Sequence, residues 1–143
     1  MKLKTGKIAF PIEFDNGEKM AIYFNPSDPD LMIRMRDLQK NINEKIGKAE
    51  DIPLNADGTP EKKDDVEAYE NLMEIFKNEL DTAFGGEISA VVFKYCSPLA
   101  IVDGEYFVLQ FIEAIIPEIE KEITKARAES EKRIEKHLAK YAK

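Results

Sequence analysis

The chain holds one cysteine and one histidine, Cys96 and His137. A cysteine nucleophile works as the thiolate, and a neighbouring imidazole is the usual means of producing it. Cys96 lies in an apolar run, whereas His137 lies far along a charged tail, so neither a Cys–His nor a Ser–His–acid set can be built from them. Asp28, Asp30, Asp64 and Asp65 could be read as paired carboxylates for acid–base work. Each falls where a helix N-terminus attracts acids, and that structural reading is preferred. Asn55, Asp57, Gly58 and Asp64 match part of a calcium loop, but Pro53 stands where the first carboxylate must be. A solvated acidic loop is therefore expected there. Gly85-Gly86 lacks the Lys-Ser/Thr ending of a phosphate loop. No catalytic residue, cofactor or metal site is expected.

What surrounds these residues is charge, unevenly spread. The net charge over 143 residues is −7. Residues 124–143 hold seven basic side chains against three acidic ones, a net of +4, while residues 1–123 hold 14 basic and 25 acidic, a net of −11. An acidic body argues against nucleic acid as a partner, and the tail interleaves only Tyr141 among its charges. The tail carries Ile134, Leu138 and Tyr141 at spacings of four and three, a candidate docking stripe for another helix or else a solvated helix end. A single cysteine excludes a disulfide framework and fits a reducing cytoplasm. MKLKTGKIAF has no signal-peptide core, and no run of about 18 apolar residues occurs, so no membrane association is expected.

Two runs alternate with period two: Ile8, Phe10, Ile12, Phe14, and then Met20, Ile22, Phe24. They predict two strands. A two-residue Asn16-Gly17 turn would put the two apolar sets on opposite faces. A three-residue loop, Asp15 to Gly17 with Gly17 left-handed, pairs Phe14 with Glu18 and Phe10 with Ile22, which puts the sets on one face; that register is expected. Pro11 cannot donate a ladder bond, so its strand is an edge. Pro11 and the outward Tyr23 make a second candidate protein contact; packing within the monomer is the alternative. A lone ribbon is marginal in water and must lie on helices or join another copy.

Ser27 or Asp28 can cap a helix whose face is Leu31, Met35, Leu38, Ile42 and Ile46, with Gly47 as its stop. Residues 48–63 read as a polar, mobile loop. A second helix runs from about Asp64 or Asp65 to Phe84, with the stripe Val66, Tyr69, Met73, Phe76, Leu80 and Phe84, and Gly85-Gly86 ends it. Residues Phe84 to Ile123 are densely apolar and read as two helices that something must cover. Ile88 to Cys96 fits a short buried helix or a strand, and the helix is favoured because no nearby strand offers a partner. Ser97 to Gly104 is a connection with Asp103 as cap. The last helix then starts near Gly104 on Val108, Phe111, Ile112, Ile115, Ile119 and Ile123. Pro117 inside that pattern implies a kink or a fresh start.

Three segments resemble the small tail assembly chaperones of long-tailed phages and prophages of Gram-positive bacteria. They are FPIEFDNGEKMAIYFNPSDPDLMIRM, the helix end Asp81-Thr82-Ala83-Phe84-Gly85, and VVFKYCSPLAIVDGEYFVLQFIEAIIPEI; together they span most of residues 7–119. The resemblance implies a mostly helical protein that forms multimers and coats the tape-measure protein before tail-tube subunits polymerise around it. It implies no cofactor and transfers no site residue. The charged C-terminal helix has no place in the family pattern.

The expected fold is α+β: an N-terminal β-hairpin followed by about four helices, the last long and bent near Pro117. One domain is expected over 1–123, with a charged helical extension over 124–143. The expected function is a non-enzymatic tail assembly chaperone that self-associates and holds the tape-measure protein. A virion structural subunit and a host-directed adaptor or regulator are the alternatives, and an enzyme with a site between subunits is a more distant one.

Overall fold

The two alternating runs pair as an antiparallel hairpin in the computed structural model, which describes residues 1–141. Strand β1 is Ile8–Glu13 and β2 is Lys19–Phe24, with Ile8 opposite Phe24, Phe10 opposite Ile22 and Ile12 opposite Met20. The Phe14 N–H donates to the Glu18 carbonyl at 2.9 Å, and Gly17 closes the three-residue loop at φ 85°. That left-handed conformation is open to glycine and strained for other residues. Ladder bonds alternate along an antiparallel pair. Phe14 bonds to β2, so Ile12 and Phe10 do as well, and Pro11 opposite Ala21 falls at a pair that makes none. The missing N–H of Pro11 therefore faces the free edge of a two-stranded sheet.

Helix α1 spans Asp30–Glu50 and buries Leu31, Met35, Leu38, Ile42, Ile46 and Ala49. Of the two candidate caps, Asp28 acts: its Oδ1 accepts the Asp30 N–H at 2.9 Å. The Ser27 N–H instead donates to Asn25 Oδ1 at 3.0 Å. Gly47 does not stop the helix. One more turn buries Ala49 on the same face, which offsets a glycine penalty of about 1 kcal/mol.

Residues 51–62 form a closed turn, shorter than the 48–63 loop expected: Leu54 bridges Pro60, and the Asn55 N–H donates to the Thr59 carbonyl at 2.6 Å. Helix α2, Lys63–Phe84, then runs back along α1 and buries Leu72, Phe76, Leu80, Ala83 and Phe84. Val66 is exposed, and burial begins at Leu72, a position the expected stripe omitted. Arg34 ties the start of α1 to the end of α2, with its Nε donating to the Ala83 carbonyl at 2.8 Å and its Nη1 2.7 Å from Asp30. Lys45 meets Glu79 at 2.9 Å further along the same seam.

Gly85 ends α2 at φ 72°. Its N–H reaches the Thr82 carbonyl at 3.3 Å, and the Gly86 N–H reaches the Asp81 carbonyl at 3.1 Å, the paired bonds of a Schellman motif. A Cβ on Gly85 would meet nothing within 4 Å, so the penalty for adding one is conformational. Gly85→Ala is expected to lower stability by about 1 kcal/mol, read as a shift of the urea midpoint at constant slope.

The apolar block that follows contains the two helices expected, one very short and one long. Helix α3, Ser89–Val92, is a single turn that buries Val92, with Ile88 buried just before it. The Asp81 carboxylate holds it, accepting the Ser89 N–H and the Ser89 hydroxyl, each at 2.8 Å. The connection after it folds into a second small hairpin, β3 (Ile101–Val102) with β4 (Glu105–Tyr106). Asp103 and Gly104 turn it at φ 53° and 80°, both positive, as a type I′ turn requires. Asp103 is therefore a turn residue and not a helix cap.

Helix α4, Phe107–Tyr141, starts three residues later than expected. Two of its first N–H groups are satisfied by that connection, Phe107 to the Ala100 carbonyl at 2.8 Å and Val108 to the Pro98 carbonyl at 3.0 Å. It passes through Pro117 without a fresh start. The lost bond falls to the Glu113 carbonyl; Glu113 and Pro117 are both exposed, so water can satisfy that carbonyl. Val108, Ile112, Ile115 and Ile119 join the hairpin and the other helices in one core. The protein is thus an α+β fold of an N-terminal hairpin and four helices, the last of them long.

Candidate interaction surface

The residues with chemical potential are dispersed. Cys96 is half-buried in the turn after α3, while His137 lies among exposed residues near the end of α4 with its ring 4.9 Å from that of Tyr141. The structure does not bring the two together. Asp28 caps α1, and Asp64 and Asp65 occupy the first turn of α2. Asp57 accepts the Thr59 hydroxyl at 2.5 Å and the Thr59 N–H at 3.0 Å, and these bonds hold its carboxyl below the usual range. Among the described residues no three His, Cys, Asp or Glu side chains cluster as metal ligands would. The Glu105 carboxyl is raised, first by desolvation and then by the hydrogen bond and charge of Glu113, a pairing not foreseen from the sequence. Among the described residues no helix is long and apolar enough to cross a membrane.

Two other features are less ordinary. The first is the end of α4. From Thr124 to Tyr141 every side chain is exposed except the half-buried Ala126. Helix α4 crosses the expected 123/124 boundary unbroken and extends past it as an arm about 27 Å long at 1.5 Å per residue. Ala142 and Lys143, the last two residues of the expected extension, lie outside the described residues. Ile134, Leu138 and Tyr141 lie on the arm at 58%, 61% and 77% exposure. At 100° per residue all three fall within about 80° of Ile112, which is at the edge of the face that buries Val108, Ile112, Ile115 and Ile119 in the body. The stripe on the arm is therefore turned about 75° from the mean direction of the core face of α4, and it is exposed.

The second feature is a groove of about 330 Å³ between β1 and α4, lined by Phe10, Ile12, Phe111, Ala114, Ile115 and Glu118. Ile22 and Phe24 are buried, but Phe10 and Ile12 on the same face are only half covered. The sequence marks Phe10, Ile12, Phe111 and Ile115 simply as core positions. That they border one open groove depends on how β1 lies across α4. Pro11 and Tyr23 are exposed on the opposite face of the hairpin, with the Lys7 amine 5.8 Å from the centre of the Tyr23 ring. Of the five candidate contact residues, three thus share the arm and two share the outer face of the hairpin, away from the groove. By contrast, the depression between α1 and α2 is polar, and two of its charged groups are paired, Arg34 with Asp30 and Glu79 with Lys45.

No protein-family model, curated protein or solved structure matches the chain.

Proposed function

We propose that the protein is a non-enzymatic assembly protein, a phage or prophage tail assembly chaperone that associates with itself and holds the helical tape-measure protein in the cytoplasm of the bacterial host. The observation that carries this reading is the arm. A helix of this length without tertiary contacts is marginal in water, and an apolar stripe along it is stabilised by a partner. The three segments that resemble tail assembly chaperones support the same reading, and the acidic body favours solubility of a protein with such a surface.

The test is co-expression with a phage tape-measure protein, followed by size-exclusion chromatography and mass spectrometry of purified particles. The expected result is co-elution with the tape-measure protein and absence from finished virions. Presence in virions at stoichiometric level would establish a structural subunit instead. Failure to co-elute, with capture of a host protein, would favour the adaptor reading.

A further inference from the structure

We infer that the arm of one copy docks in the β1–α4 groove of another copy, so that self-association proceeds through arm and groove; this deepens the self-association part of the function proposed above. Three observations lead to it.

The arm cannot fill the groove of its own chain. Phe111, Ala114, Ile115 and Glu118 of the same helix form one wall of that groove. Leu138 lies 23 residues beyond Ile115, about 35 Å along a helix axis at 1.5 Å per residue. Folding back would require α4 to break. The cover for the stripe therefore comes from another molecule.

Charge selects which molecule. Residues 124–141 carry six basic and three acidic side chains, whereas residues 1–123 carry a net of −11. Arg133, Lys136 and Lys140 share another face of the arm, about 105–165° round the helix from the centre of its apolar stripe. Glu118 lines the groove, and Glu122 follows it one turn later on the same side of α4. The one ion pair Glu118 makes among the described residues, with Lys121 at 3.5 Å, is an exposed i,i+3 contact that a better-placed cation can replace. Arm-to-arm pairing would instead set like charges against each other.

Chemistry and size agree as well. The groove is walled by aromatic and branched aliphatic side chains, and the stripe offers Ile134, Leu138 and Tyr141 at the i, i+4, i+7 spacing by which an amphipathic helix fills such a groove. One arm and one groove per chain are different surfaces. The contact is then heterologous and leads to rings or open chains, unless two copies exchange arms reciprocally.

The experiment uses the full chain and light scattering across a concentration series. In one variant the stripe is made polar at constant charge, Ile134→Gln with Leu138→Gln. In the other the groove is blocked by Ala114→Arg, at an exposed helical position where arginine is well tolerated. The wild type is expected to be multimeric and to loosen in high salt. Each variant alone is expected to be monomeric, its association weakened roughly 100-fold. An equal mixture is expected to form pairs of one copy each, because one variant keeps its groove and the other its arm; a misfolded variant could not restore the pair. A multimer that survives Ala114→Arg, or that tightens in salt, would overturn the arm-and-groove contact and leave self-association standing. A wild type that stays monomeric at every concentration would overturn both.

Discussion

Phe24→Ala is expected to lower the stability of the protein by about 3–5 kcal/mol, whereas Tyr23→Ala, one residue away, is expected to change it by less than about 1 kcal/mol. Phe24 is 1% exposed and sits at the centre of a chain of rings. Its centroid is 5.7 Å from that of Phe10 and 6.3 Å from that of Phe84, which is in turn 6.3 Å from Phe111. These contacts join the hairpin to α2 and α4. Truncating Phe24 removes its own buried area and also the partner of two further rings, in a two-stranded ribbon that is marginal by itself and depends on its packing against the helices. Against a total stability of about 5–15 kcal/mol for a domain of this kind, such a loss approaches unfolding. Tyr23 points to the other side and meets mainly solvent and the Lys7 amine. Urea unfolding at low protein concentration, where association adds least, gives both numbers. Equal losses at the two positions would mean that the strand register is not the one described.

Asp81→Ala is expected to have the next largest effect, a loss of about 2–3 kcal/mol. The Asp81 carboxylate accepts two hydrogen bonds from Ser89, both at 2.8 Å, and both are partly screened from water. It is the tie that sets the first turn of α3 against the end of α2. An isolated turn of helix has no cooperative stability, so without the carboxylate the segment carrying Ile88 and Val92 loses its anchor to α2. Asp81→Asn keeps one acceptor oxygen and offers the Ser89 hydroxyl a donor, so it is expected to recover more than half of the loss. Hydrogen exchange makes the test local. The Phe93 amide, which bonds to the Ser89 carbonyl at 2.9 Å, should exchange faster in Asp81→Ala by more than the global loss explains. Uniform acceleration across the molecule would mean that Asp81 supports the fold generally and not α3.

Some of this was legible in the order of residues, for reasons that are local. The hairpin register followed from requiring both apolar sets on one face, and the alternative turn would have exposed one of them. Asp28 could be named as a cap from its position ahead of a helical stripe. Other features were misread where two local signals competed. Asp103-Gly104 flanked by Ile101, Val102 and Tyr106 is the type I′ hairpin signal, but Asp103 was equally placed to cap a helix, and the apolar run after it made a helix start attractive. Gly47 resembled a helix stop because nothing in its neighbours reveals that Ala49 is buried one turn later. Asp81 lay inside a helix pattern and carried no mark of the turn it holds.

Periodicity, charge and turn chemistry act over a few residues and need no neighbour in space, so the sequence by itself determined the strand register, the three long amphipathic helices, the basic arm and its Ile134, Leu138 and Tyr141 stripe. The groove was decided only in three dimensions. Whether Phe10, Ile12, Phe111 and Ile115 are fully covered depends on how far β1 overhangs α4. The same holds for the end of the body beneath α4: apolar residues recur along the whole helix, yet Ile119 is buried and Ile134 is bare. Burial is set by what else arrives at a position, and that depends on contacts between segments far apart in the chain.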